Sequence, residues 1–176
     1  MFPKAHAVAY VMMSFRLAYC KVHYPEAFYA TYFTTKAEDF DADLIVKGLG
    51  AIKSKIREIE ELGNEATTKE KNMPTVLEVA LEMYARGIKI IPVDIYKSDA
   101  KNFQVVGEKT LLPPMIALQG VGENAAINIQ NERDNGEFIS KEDLRKRTKI
   151  SKTVIETLTN HGSLENMSDK NQLSLF

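Results

Sequence analysis

Leu118-Gln119-Gly120-Val121-Gly122-Glu123-Asn124-Ala125-Ala126-Ile127-Asn128-Ile129 is the stretch on which the reading of this chain turns. Gly120 and Gly122 permit a tight turn whose backbone no side chain covers. The residues after it read as a helix from about 123 to 134, stopped by Asn135-Gly136. Free N–H groups at the start of that helix, together with its dipole, form an anion site suited to a phosphate. A branched side chain at Gly122 is expected to disfavour a positive φ and to crowd the anion's approach. Ala126 is small enough for two helices to pack closely, and Ile129 continues the apolar face. Gly-x-Gly alone would suit an ordinary helical turn. The spacing to Ala126 and Ile129 favours phosphate binding by Gly120, Val121, Gly122, Glu123 and Asn124.

The pattern apolar-x-Gly-apolar-Gly-x-x-x-Ala-x-x-apolar resembles the helix-hairpin-helix motif, and the phosphate it implies is one of a DNA backbone. Such contacts position a duplex without reading its sequence. Downstream, residues 141–152 hold six basic side chains, Lys141, Arg145, Lys146, Arg147, Lys149 and Lys152, against Glu142 and Asp143, a net of +4. Alone, a charge run is usually a solvated face. Beside the glycine turn it makes a local basic stripe along which a duplex backbone could lie. Ser140-x-x-Asp143 opens one helix and Ser151-Lys152 another, with Glu156 inside it and His161-Gly162 at its end. Ser151-Lys152 resembles Gly122-Glu123 as a helix start, so two successive phosphate clamps are expected.

Composition narrows the alternatives. The 176 residues carry 23 Lys+Arg against 24 Asp+Glu, which excludes nucleic-acid binding by bulk charge and leaves only a local patch. Apolar residues at 44% and charged residues at 27% are globular proportions. One cysteine, Cys20, can form neither an internal disulfide nor a zinc or iron–sulfur site. Asp39, Asp41 and Asp43 alternate, but no Gly and Glu follow at calcium-loop spacing. No Ser/His/Asp or Cys/His arrangement stands out. His23 and His161 read as structural, the latter at a helix end favourable to the dipole. His6, with Lys4, puts two cationic or proton-donating groups at a helix start, where capping and an anionic ligand are equally good readings.

Upstream of the glycine turn, nearly every residue from 5 to about 22 is apolar or small, with Arg16 and Lys21 the only charges. A secretory signal is disfavoured by Arg16 inside the apolar region and by Tyr19 where a small residue belongs. The uncharged run 5–15 falls well short of the roughly 20 residues that span a bilayer. A helix buried in the middle of a bundle is expected instead, in a cytoplasmic protein with no membrane partner. Pro25-Glu26 starts a second helix to Phe33. Carboxylates at 39–43 are available to cap a third, whose stripe Ile45, Leu49, Ile52, Ile56, Ile59 and Leu62 runs to Gly63-Asn64. Residues 65–71 read as a loop, and Thr75 with Glu78 as a capping box leading through Tyr84 to Gly87. A short or edge strand carrying Pro92 is expected within 88–95, and a small hairpin within 103–112 around Gly107-Glu108.

Five segments together carry a resemblance that covers essentially the whole chain: Met1-Phe2-Pro3-Lys4-Ala5-His6-Ala7-Val8-Ala9-Tyr10; Glu70-Lys71-Asn72 through Leu77-Glu78-Val79-Ala80-Leu81-Glu82; Gly120-Val121-Gly122; Ser151-Lys152-Thr153-Val154-Ile155-Glu156; and Asn171-Gln172-Leu173-Ser174-Leu175-Phe176. In that order they resemble the C-terminal region of the PolC-type DNA polymerase III alpha subunits, the C-family replicative polymerases of low-GC Gram-positive bacteria. The resemblance implies a mainly α fold: a helical fingers segment (1–104), a tandem helix-hairpin-helix domain on duplex DNA (105–165), minor short β elements, and a tail (166–176) bearing a sliding-clamp peptide. It implies that Lys4 and His6 face the incoming nucleotide and that Gln172, Leu173, Ser174, Leu175 and Phe176 bind the clamp. Leu173, Leu175 and Phe176 would be apolar anchors for a pocket, whose structural alternative is docking on their own core. Expected partners are primer-template duplex, the sliding clamp and other replisome subunits. The family's metal-binding palm aspartates have no counterpart here. The resemblance therefore implies Mg²⁺ in a longer parent, and an inactive fragment with no cofactor of its own. A free-standing helix-hairpin-helix accessory or repair protein recruited by the clamp is the competing reading. A pure interaction module is another.

Overall fold

The computed structural model describes residues 3–170. Helix α1 (Lys4–His23) starts after Pro3, whose carbonyl accepts from the His6 and Ala7 N–H groups at 3.0 and 3.3 Å. It stops at Tyr24, because the residue before a proline avoids helical backbone, and Pro25 restarts the chain as α2 (Pro25–Thr35). The expected burial of α1 does not hold: it has no buried residue, and Phe15 is 73% exposed. Its apolar residues find no cover among the described elements; α2 lies against it without enclosing it. Two contacts fix its last turn. Lys21 Nζ meets Glu82 at 2.6 Å, and Arg86, itself 3.1 Å from Glu82, donates to the Lys21 carbonyl at 3.2 Å. Burial opposes ionisation of Glu82, but the Lys21 and Arg86 cations outweigh it and hold the carboxyl below its ordinary range.

Asp41 caps α3 (Ala42–Val46) by accepting from the Leu44 N–H at 3.0 Å. The stripe expected as one helix is two: Gly48, at φ +89°, breaks it, and α4 (Leu49–Leu62) begins beyond, burying Ile52 and Ile59. After a 3-10 turn (Gly63–Glu65), α5 (Thr68–Ala85) starts seven residues before the expected capping box. Thr67 and Glu70 form the box. The Glu70 N–H donates to the Thr67 hydroxyl, and the Thr67 N–H and hydroxyl both donate to the Glu70 carboxylate, which lowers its pKa. Part of the expected 65–71 loop is therefore helical, and Pro74 lies inside the helix, where it removes one backbone bond.

Among the described residues three strands form a small sheet in the order β1-β3-β2. The edge strand β1 (Lys89–Ile90) runs parallel to β3 (Thr110–Leu112), and β2 (Gln104–Gly107) pairs with β3 as the expected hairpin, with a bulge between Val105 and Gly107. A 3-10 turn (Met115–Ala117) leads to α6 (Glu123–Arg133), α7 (Lys141–Thr148) and α8 (Lys152–Asn160), so the fold is mainly α with minor β.

One apolar core runs from Tyr29 to Leu164 and crosses residue 105 without a break. Phe33, Phe40 and Phe103 form its aromatic centre, with ring centroids 4.8–5.6 Å apart. Polar ties also cross. The Phe103 N–H donates to Thr34 Oγ1 at 2.9 Å, and Arg133 donates to the carbonyls of Ile95 and Ser98 at 3.1 and 2.6 Å. His161 is buried at 3% side-chain exposure. Its Nε2 accepts from the Val93 N–H at 2.9 Å, so the proton sits on Nδ1 and is donated to Asp43. The expected structural role of His161 is therefore a hydrogen-bonded bridge between α3, the segment after β1, and the end of α8.

Candidate nucleic-acid interface

The glycine turn lies between the Met115–Ala117 3-10 turn and α6, so the first hairpin has a single 3-10 turn in place of a full leading helix. Its closing bond runs from the Val121 N–H to the Leu118 carbonyl at 3.0 Å. Leu118, Val121, Ala126 and Ile129 are all buried beneath it, as their spacing requires. Gly120 is the residue with positive φ, +97°, and a Cβ there would stand 3.3 Å from Thr157 Oγ1 on α8. Gly122 does not have the expected positive φ. At φ −74°, ψ 158° it is extended, as a helix N-cap is, and a Cβ built on it meets nothing within 4 Å. It leaves α6 without a side-chain cap. The first-turn N–H groups, which no helix satisfies internally, therefore open to solvent beside exposed Gly122, Glu123 and Asn124.

The second turn follows α7. Lys149, at φ +56°, reverses the chain and its N–H donates to the Arg145 carbonyl at 2.9 Å. Ser151 then caps α8 by accepting from the Val154 N–H at 3.3 Å. The two helix starts thus differ: α8 has a hydroxyl cap and α6 has none. Asn128 on α6 donates to the Thr148 carbonyl at 3.1 Å and so joins the hairpins.

The basic run does not act as one stripe. Arg145 and Lys149 are exposed, and no ion pair holds either among the described residues. Lys146 and Lys152 are exposed but paired along their own helices, with Glu142 at 2.8 Å and Glu156 at 3.6 Å. Lys141 is drawn to Asp169 at 2.9 Å. Arg147 turns inward. Its guanidinium lies 4.5 Å from the Phe138 ring centre and donates to the carbonyls of Glu132, Glu137 and Gly136, where α6 ends and needs partners. Glu132 and Asp143 complete its charge at 3.5 and 3.6 Å.

Lys4 and His6 sit in the first turn of α1, where the His6 ring packs edge-on against Tyr10 at 4.6 Å; the main neighbour of α1 is α2, not the hairpins. Gln172, Leu173, Ser174, Leu175 and Phe176 lie outside the described residues. Sequence reasoning missed Gln119, whose amide donates to the Phe40 carbonyl at 2.7 Å and accepts from Lys69, and Lys101, which pairs with Glu123. No local pattern announces contacts spanning 22 to 79 positions. Among the described residues no three His, Cys, Asp or Glu side chains stand close enough to hold a metal ion, and no helix is long and apolar enough to cross a membrane.

A family model described as the helix-hairpin-helix motif matches residues 87–173, starting upstream of 105 and taking in the small sheet. Over all 176 residues the chain is 62% identical to the PolC-type DNA polymerase III of Clostridium perfringens. It is 62% identical to that of Caldanaerobacter subterraneus and 53% to that of Bacillus subtilis. In each case it covers 12% of the relative's length.

Proposed function

We propose that the chain, which spans 12% of the length of the PolC-type DNA polymerase III relatives it matches, is the counterpart of that segment and the part of a replicative DNA polymerase that grips the product duplex. The observation that carries this reading is the uncapped start of α6 at Gly122, where open backbone N–H groups and the helix dipole meet on an exposed turn. A phosphate oxygen at that turn would receive N–H bonds in the place a Ser or Asp cap takes elsewhere. Exposed Arg145 and Lys149, on the neighbouring hairpin, add charge for a second phosphate, and Gly120, Val121, Glu123 and Asn124 shape the first. Lys141, Lys146 and Lys152 contribute once their carboxylate partners are displaced.

In this reading the parent is a DNA-directed DNA polymerase working in the cytoplasm with Mg²⁺ at acidic residues outside this chain, and the segment alone performs no synthesis. Lys4 and His6 face the nucleotide side, and Gln172 to Phe176 bind the sliding clamp within a larger replisome. Fluorescence anisotropy with labelled duplex tests the central claim. Binding should be indifferent to sequence and should weaken linearly in log–log form as salt rises. Salt-independent binding, or none, would remove the duplex from the assignment, as primer extension by the pure chain would remove the silent role.

A further inference from the structure

Two lysines that belong to neither hairpin stand at the glycine turn, one on each side of it. Lys69 is exposed in the first turn of α5, and its ammonium donates to the amide oxygen of Gln119, the residue before Gly120. Lys101 pairs with Glu123, the residue after Gly122. Both reach the turn from a fixed base. Gln119 is oriented from behind, its amide N–H donating to the carbonyl of buried Phe40 at 2.7 Å. The loop carrying Lys101 is clamped to the hairpin side: the Met115 and Ile116 N–H groups donate to the Asp99 and Ala100 carbonyls at 3.0 and 3.2 Å, and the Ala100 N–H donates to Gln130 on α6. Asp99 closes that loop by accepting from the Lys101 and Asn102 N–H groups at 2.8 and 2.7 Å.

Neither charge is spent on the fold. Lys69 meets a neutral amide, and no carboxylate pairs with it among the described residues. It also stands at a helix start, where the dipole disfavours a cation, so α5 itself gives no reason for a positive charge at 69. The Lys101–Glu123 pair is open to solvent on both sides, at 46% and 57% exposure, and such a pair stabilises little. An anion arriving at the turn can therefore replace Glu123 on that ammonium at small cost. The turn needs such help: residues 118–124 carry one charge, and it is the negative one of Glu123.

We propose that Lys69 and Lys101 are phosphate contacts, so that the duplex-binding surface does not end with the hairpins but continues onto α5 and the 99–102 loop. The inference rests on the duplex reading above and adds the source of positive charge at the first turn. Backbone N–H groups aim at an anion but bring only partial charge, whereas two ammonium groups bring full ones. Each also releases a counterion from the duplex when it meets a phosphate.

Fluorescence anisotropy of the full chain with labelled duplex over a salt series tests this, with Arg145→Ala on the second hairpin as the reference. Lys69→Ala should reduce the log–log salt slope by about 1 and weaken binding about five- to tenfold at about 0.1 M salt, with the melting temperature unchanged. Lys69→Arg should keep the slope. Glu123→Gln, which releases Lys101, should raise the affinity and steepen the slope, and adding Lys101→Ala should cancel that gain. If Arg145→Ala flattens the slope and Lys69→Ala does not, the duplex reading stands and this inference falls. A gain from Glu123→Gln that survives Lys101→Ala would make Glu123 a merely repelling charge and overturn the place given to Lys101. Salt-independent binding by the unaltered chain would remove the duplex reading itself, and this inference with it.

Discussion

Asn128 on α6 donates to the carbonyl of Thr148, the last residue of α7, across 3.1 Å. One amide thereby satisfies a helix-end acceptor and ties the first hairpin's helix to the entry of the second turn. The uncapped start of α6 and the cations of Arg145 and Lys149 consequently sit on hairpins that this bond joins.

Arg145 and Arg147, two residues apart, should separate by assay. Arg145→Ala and Lys149→Ala should each weaken duplex binding at all sequences and reduce the salt slope by about 1, with melting temperature unchanged. Arg147→Ala should instead lower the melting temperature, because it strips three carbonyls and an aromatic face of their partner. Equal salt slopes in all three would move the duplex to another face.

The two glycines should also part. Gly120→Ala places a side chain at φ +97° and 3.3 Å from Thr157 Oγ1, and should cost about 1–3 kcal/mol of stability by urea denaturation. Gly122→Val, at an extended φ with open space around it, should fold normally and lose duplex affinity.

Removing the Asp43 carboxylate should leave the His161 Nδ1–H without its acceptor inside the core. Asp43→Ala should therefore destabilise by about 1–3 kcal/mol in a denaturant titration.

Acid should loosen the foot of α1. Glu82 has a lower pKa folded than unfolded, so its stabilising share is complete above the ordinary carboxylate range near ~4.3 and is lost as pH falls through the folded value. Glu82→Gln should lose that share at neutral pH and show a flatter acid limb. Amide exchange over residues 17–23 should quicken in the variant at pH 7 and match the parent at low pH.

Phe176→Ala should weaken binding to the sliding clamp of the same organism by roughly 1.5–3 kcal/mol in calorimetry, the worth of one buried anchor, while Ser174→Ala should change little. Equal affinity in the two variants would remove Phe176 from the contact.

Much of this was legible in the sequence where the signal is local. Ser140, Ser151 and Asp41 cap the helices their positions suggested, and the 103–112 hairpin forms around its Gly-Glu pair. Elsewhere two local patterns competed. Thr67-x-x-Glu70 is as good a box as Thr75-x-x-Glu78, and the structure uses the first, carrying Pro74 inside the helix at the loss of a backbone bond. The stripe from Ile45 to Leu62 kept its period through Gly48, so periodicity concealed the break. Charge counting gave the sign of Arg147 and not its direction, which the bare carbonyls at the end of α6 decide. The apolar run of α1 suggested a buried helix, but the described elements leave it exposed, because composition does not say which element would supply cover.

A 20-residue helix is a rod of about 30 Å, and α1 is pinned at one end of it, where Lys21 meets Glu82 and Arg86. Such a rod is a lever with its fulcrum at Tyr24. A tilt of about 10° at the fulcrum sweeps Lys4 and His6 through roughly 5 Å, more than a hydrogen bond can stretch. The Lys21–Glu82 ion pair thus holds the short end of an arm whose far end carries Lys4 and His6.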